Sequence, residues 1–127
     1  KETEETKEED KPILEFIKNS LEGEVLDVKF ASNLGVHPVC LLAQGEVSIE
    51  MEKVFASMPG NDGKMKAEKV LEISSEHGIL DRLNGVFKED KEKLKDYAIV
   101  LYEQARILAG LNIEDPTKFV TAFSAII

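Results

Sequence analysis

From residue 12 onward, the apolar positions alternate between blocks of helical and strand period. Ile13, Leu14, Phe16, Ile17 and Leu21 recur at helical spacing, with Asp10 and Pro12 at the start and Gly23 where a left-handed terminal residue is needed, so a short amphipathic helix is predicted. From Val25 to Ala31 the period drops to two: Leu26, Val28 and Phe30 share one face and Asp27 and Lys29 the other, as in a half-buried strand. The continuous apolar run Val39 to Ala43, entered after Pro38, predicts a more central strand. Ser48 then stands before a helix in which Met51, Val54, Phe55 and Met58 fall on one stripe. Pro59 to Gly63 ends that helix, and the stretch through Lys66 reads as a mobile loop. A short strand over Val70 to Ser74 follows, then a helix capped by Ser74 and carrying Ile79, Leu80, Leu83 and Phe87.

The longest helical pattern begins near Leu94, after the charge run from Lys88 to Lys93. One stripe holds Leu94, Ala98, Leu101, Ala105 and Leu108, and Tyr97, Ile99, Val100, Tyr102 and Ile107 carry the apolar surface nearly round the helix. Such a helix needs cover on more than one side, which a small domain supplies with difficulty. Gly110 ends it, Asp115 and Pro116 open a last helix with Phe119, Val120, Phe123, Ile126 and Ile127, and a helical hairpin results. The pattern leaves two packings open: against the small sheet, or against a second copy in a four-helix bundle. The apolar end from Phe123 to Ile127 favours pairing.

Composition narrows the function classes. A chain of 127 residues has room for one domain, expected over residues 12–127, and the charged stretch 1–11 reads as an acidic, disordered linker. Lys1 is not an initiating residue, so the chain reads as part of something longer. The net charge of -9 repels phosphate backbones, which argues against a nucleic-acid partner, and no apolar run is long enough for a membrane. Cys40 is the sole cysteine; an internal disulfide is impossible, and a reducing cytoplasmic location is expected. Its apolar surroundings predict a buried, inert thiol.

Candidate chemistry is sparse. Glu76-His77 lacks a second histidine one helical turn away, so His77 and the isolated His37 read as helix-start and loop residues, not as metal ligands or acid–base groups. Gly60-Asn-Asp-Gly63 is followed by neither Lys-Ser nor Lys-Thr and lies at a helix exit, unlike a phosphate loop. No catalytic, cofactor-binding or metal-binding residue is therefore assigned. A self-contained small enzyme or ligand-binding domain is the alternative class, and it would need convergent polar groups in a pocket.

Five stretches, in order and spacing, resemble the C-terminal domain of the heat shock protein 90 family of chaperones. They are Glu24-Val-Leu-Asp-Val-Lys29, Met51-Glu-Lys-Val54, Val70-Leu-Glu-Ile73 followed by Glu76-His77, Leu101-Tyr-Glu-Gln-Ala105, and Ile113-Glu-Asp-Pro116. Ser74-Ser75 stands where the family usually has Asn-Pro, keeping a capping residue and losing the rigid ring. The resemblance implies an α+β domain: a small three-stranded sheet packed with helices, a protruding amphipathic helix, and a C-terminal hairpin forming a four-helix bundle in a two-fold homodimer. It implies that Met51, Val54, Phe55 and Met58 contact unfolded client proteins. The expected dimer seam is Leu101, Ala105, Leu108, Phe119, Phe123, Ile126 and Ile127. ATP and magnesium are implied only for a separate N-terminal domain, so this chain is expected to bind no cofactor and to catalyse nothing.

Overall fold

The computed structural model describes residues 2–3, 8–60 and 65–127. Its elements are strand β1 (Glu2–Thr3), helix α1 (Lys11–Ser20), strands β2 (Asp27–Ser32) and β3 (Val39–Gln44), helix α2 (Ile49–Ala56), strand β4 (Glu68–Ser74), and helices α3 (Ile79–Glu89), α4 (Lys91–Leu108) and α5 (Pro116–Ile126). The sheet order is β1-β2-β4-β3, with β2 parallel to β4 and the two outer pairings antiparallel.

Register explains the core. Val28 stands beside Leu71 and Phe30 beside Ile73, while Leu41 and Val39 meet the same two residues from the other side. These six side chains form one face, all buried, and α1, α3 and α4 cover it with Ile13, Leu14, Ile17, Leu83, Val86, Leu94, Ala98 and Leu101. Each large side chain withdrawn from water this way contributes about 1.5–3 kcal/mol. No residue of α5 belongs to this core.

The helix boundaries follow local chemistry. Ser48, Asp90 and Asp115 each accept a hydrogen bond from a backbone N–H in the first turn of the following helix, at 3.0, 3.2 and 3.0 Å. Ser74 accepts the N–H groups of Glu76 and His77, both at 3.1 Å, so it caps a turn, and α3 itself starts two residues later. His77 Nδ1 accepts the N–H of Ile79 at that start. Asp10 makes no side-chain cap to α1.

Several expectations are corrected. β4, predicted short, is a seven-residue central strand, and β3 lies at the end of the sheet order. The period-two pattern misplaced Leu26, which precedes β2 and is exposed, whereas Val25 is buried. Cys40 is only half-buried, because it points to the sheet face away from the helices, alongside Lys29 and Glu72. Within the linker, Glu2 and Thr3 pair with Ser32 and Ala31 as a fourth strand, and Glu8–Asp10 form one 3-10 turn. Part of the expected loop after α2, residues 61–64, and residues 1 and 4–7 of the linker lie outside the described residues.

Candidate functional site

Helix α5 has an unusual attachment. It packs antiparallel beside α4, yet Ala122 is its only buried residue. What fixes its direction is a polar staple at the hairpin turn. The carboxylate of Glu103, itself buried on α4, accepts the N–H of Glu114 at 3.1 Å and that of Asp115 at 3.1 Å. Arg106, one turn later, donates from Nε to the carbonyl of Asn112 at 2.9 Å and lies 3.5 Å from both Glu103 and Glu114. A buried carboxylate that satisfies two otherwise orphaned backbone donors is strongly held, because either partner alone would be costly to bury. Gly110 makes the turn possible with φ near +90°, a conformation that glycine adopts without steric cost.

The consequence is an uncovered apolar surface. On α5, Phe119 and Phe123 stack with ring centroids 6.1 Å apart. Val120 is 58% exposed, Phe123 45% and Ile127 85%, and on α4 Ile107 and Leu108 are also exposed, 51% and 44%. Single exposed apolar residues are ordinary, whereas here five lie on one hairpin.

Helix α2 shows a second anomaly. Val54 is 60% exposed, Met58 50% and Met51 42%, and Phe55 is half-buried. The helix's one buried residue is Glu52. Its apolar stripe therefore faces solvent while one of its three charged residues, Glu52, is the one turned into the protein, the reverse of an ordinary surface helix.

Between α1 and the hairpin turn lies an acidic recess of about 220 Å³, lined by Glu22, Glu24, Tyr102, Glu103, Glu114, Asp115 and Lys118. Glu24 shares a hydrogen bond with Glu114; that bond, then burial and the charge of Glu114, raises the Glu24 pKa above its ordinary value. Burial works to raise Glu114 as well, but the hydrogen bond from Glu24 and the charges of Arg106, Lys66 and Lys69 outweigh it and leave its pKa lowered. Burial, and then the Glu114 charge, pushes the Tyr102 phenol upward, so it stays neutral beside Arg106. Among the described residues no group of three or more His, Cys, Asp or Glu side chains is placed to hold a metal ion, and no helix is long and apolar enough to cross a membrane.

A model of the Hsp90 protein family matches the chain from residue 1 to residue 127. The chain belongs to the Hsp90 family. Curated relatives named Chaperone protein HtpG agree: that of Clostridium acetobutylicum is 48% identical over 119 residues, and that of Bacillus subtilis 45% identical over 119 residues. Another, from Shouchella clausii, is 47% identical over 120 residues. Each alignment covers 94% of this chain but only 19% of the relative, so this Hsp90 chain spans about a fifth of the length of the proteins it matches.

Against this geometry the expected residues divide. Met51, Val54 and Phe55 share an accessible face of α2, and Met58 is exposed two residues past its end. Leu108, Phe119, Phe123, Ile126 and Ile127 lie on the hairpin with surface to spare. Leu101 and Ala105 are corrected: both are buried inside this chain, 3% and 0% exposed, on the side of α4 that packs on the other helices and the sheet. Ile107 and Val120 were missed as surface residues of this Hsp90 hairpin. Ile107 follows once the core side of α4 is known, since it points about a third of a turn or more away from Leu101 and Ala105, whereas Leu108 continues their stripe and is exposed as the last residue of the helix. The staple residues Glu103 and Arg106 were also missed; their only sequence signal is a carboxylate and a guanidinium one turn apart in the mostly apolar second half of α4.

Proposed function

We propose that this chain is the C-terminal module of a chaperone, pairing with a second copy through the outer surface of α4 and α5 and touching partly unfolded client proteins with the outward stripe of α2. The observation that carries the pairing is α5 itself: it buries one residue within its own chain while exposing Val120, Phe123 and Ile127. Two such antiparallel hairpins placed face to face make a four-helix bundle, a closed two-fold arrangement that covers both surfaces at once. Linking two chaperone chains permanently raises the effective concentration of their remaining domains for each other.

For α2, the exposed Met51 and Met58 suit a surface that must accept many shapes, since methionine is flexible and polarisable. The stripe has no charged residue among Met51, Val54, Phe55 and Met58, so extended apolar segments meet no desolvation cost there. Homologous chaperone membership supports this reading over a small enzyme: the polar groups of the recess between α1 and the hairpin turn are engaged in the Glu103 staple and the Glu24–Glu114 pair, and its lining holds no Ser, Cys or His. That recess carries five carboxylates against one lysine and repels a nucleotide triphosphate. ATP and magnesium are accordingly assigned to the part of the chaperone outside these residues, and the whole protein to the cytoplasm.

The test compares wild type with Met51→Asp/Val54→Asp in suppressing aggregation of a chemically reduced, unfolded polypeptide. The pair of substitutions leaves the thermal melt unchanged and weakens suppression. An early melt would instead place the stripe inside the fold, and undiminished suppression would remove α2 from client contact.

A further inference from the structure

The orientation of α2 is the opposite of what its apolar stripe alone favours, and a buried ion pair lies on its inner face. Glu52 Oε1 sits 2.7 Å from Lys69 Nζ, with both side chains less than a tenth exposed. The same oxygen accepts the N–H of Ala67 at 2.7 Å, and Lys69 Nζ also donates to the Ala67 carbonyl at 3.1 Å. The three groups close a ring of hydrogen bonds between the inner face of α2 and the start of the central strand β4. Elsewhere along that inner face, Ile49 packs on the core at the N-terminal end, and the Lys53 side chain lies against Gly110, where a Cβ would meet Nζ at 2.8 Å.

An eight-residue helix is marginal in isolation, so α2 depends on these attachments. Apolar gain alone would turn Met51, Val54 and Phe55 inward and leave Glu52 in water, because a large side chain gains more from burial than an unpaired carboxylate, which loses heavily. Only a partner charge already fixed within the fold reverses that preference. Lys69 supplies it. Its ammonium is buried beside α2, on the central strand opposite Ala43 of β3, and there it needs a carboxylate.

We propose that Glu52 and Lys69 are positioning residues, a latch that holds α2 with its apolar stripe facing outward and so keeps that stripe available. Registration of a surface is a well-attested use of a buried charge. The proposal rests on the reading of α2 as a client-contact helix only for its functional consequence; the latch itself is a statement about how α2 is held.

Hydrogen exchange resolved along the chain tests the latch, and binding of reduced, carboxymethylated lactalbumin tests its consequence. Glu52→Gln and Lys69→Met each strand one buried charge and speed exchange of the α2 amides by more than about tenfold, while the amides of α4 keep their protection. The double variant Glu52→Gln/Lys69→Met leaves no buried charge and guards against simple unfolding by the single ones. It opens α2 by less than the two single effects combined, the signature of direct coupling. Exchange in α2 unchanged in all three variants, or additive effects in the double, overturns the latch. Lactalbumin binding reports separately: faster α2 exchange with weakened binding in the latch variants supports the latch as a positioning device. Faster exchange with binding unchanged, in these variants and in Met51→Asp/Val54→Asp alike, leaves the latch standing and refutes the client reading.

Discussion

Truncating Phe123 to alanine isolates the contribution of the uncovered α5 surface. In the single chain Phe123 keeps 45% of its surface in water, so the part of its burial that pairing completes is slightly under half of the about 1.5–3 kcal/mol that a fully buried phenylalanine gains. A two-fold interface contains two copies of every residue, which doubles the loss to roughly 1.5–2.5 kcal/mol per dimer. The dissociation constant therefore rises about 10- to 100-fold. The stacking of Phe123 on Phe119 at 6.1 Å is lost from monomer and dimer alike and cancels from the comparison. Sedimentation equilibrium across a broad concentration range measures the constant directly. Leu101→Ala is the contrasting variant: Leu101 is 3% exposed within the chain, so its truncation costs about 2–5 kcal/mol of folding stability and leaves the dissociation constant of the folded chain near that of wild type. The reverse result, with Leu101→Ala dissociating the pair and Phe123→Ala leaving it intact, would refute the assignment of the seam to the outer hairpin surface.

Other outcomes follow from the polar staple and the carboxyl pair. Glu103→Gln presents an amide where two backbone N–H groups need acceptors and removes the charge facing Arg106, so calorimetric unfolding shows a loss of about 2–3 kcal/mol. Glu24→Gln acts with a defined sign. The raised pKa of Glu24 means that the fold disfavours its ionised form, so its unfavourable contribution is present at neutral pH and disappears as pH falls below the raised value and the carboxyl protonates. The variant is therefore more stable than wild type at neutral pH and converges on it in acid, as paired denaturant titrations will show. Glu114, whose pKa is lowered, contributes stability above its unfolded value and loses it as pH falls through the folded one, so Glu114→Gln costs stability at neutral pH and converges on wild type only at lower pH.

How far the sequence carries the reader depends on whether local pattern or tertiary partner decides. Helices α1, α3, α4 and α5 and strand β2 are legible from period, Pro12, Pro116 and the capping Asp115, because those signals act over a few residues, while the cap that Asp90 gives α4 lay hidden in the charge run. The central position of β4 is not legible: it sits between strands that precede it in the chain, and its alternation is hidden by burial on both faces, Lys69 and Glu72 included. The outward turn of α2 defeats pattern reasoning for the same cause, since a partner seventeen residues away holds Glu52 inside. The hairpin is half legible. Its helices and turn follow from Gly110 and Asp115, whereas the choice of which side of α4 faces the core depends on its neighbours, and so Leu101 and Ala105 exchanged places with Ile107 in the expected surface.

Contact between copies through the hairpin can be observed directly. An isotope-filtered nuclear Overhauser experiment on an equal mixture of labelled and unlabelled chains reports only contacts between copies. Cross-peaks from Phe123, Val120 and Ile127 of one copy to the α4 and α5 side chains of the other, with none from Leu101 or Ala105, are the predicted result. Their absence at concentrations where the chain is fully folded, or contacts arising from the α2 stripe instead, would contradict pairing through the hairpin.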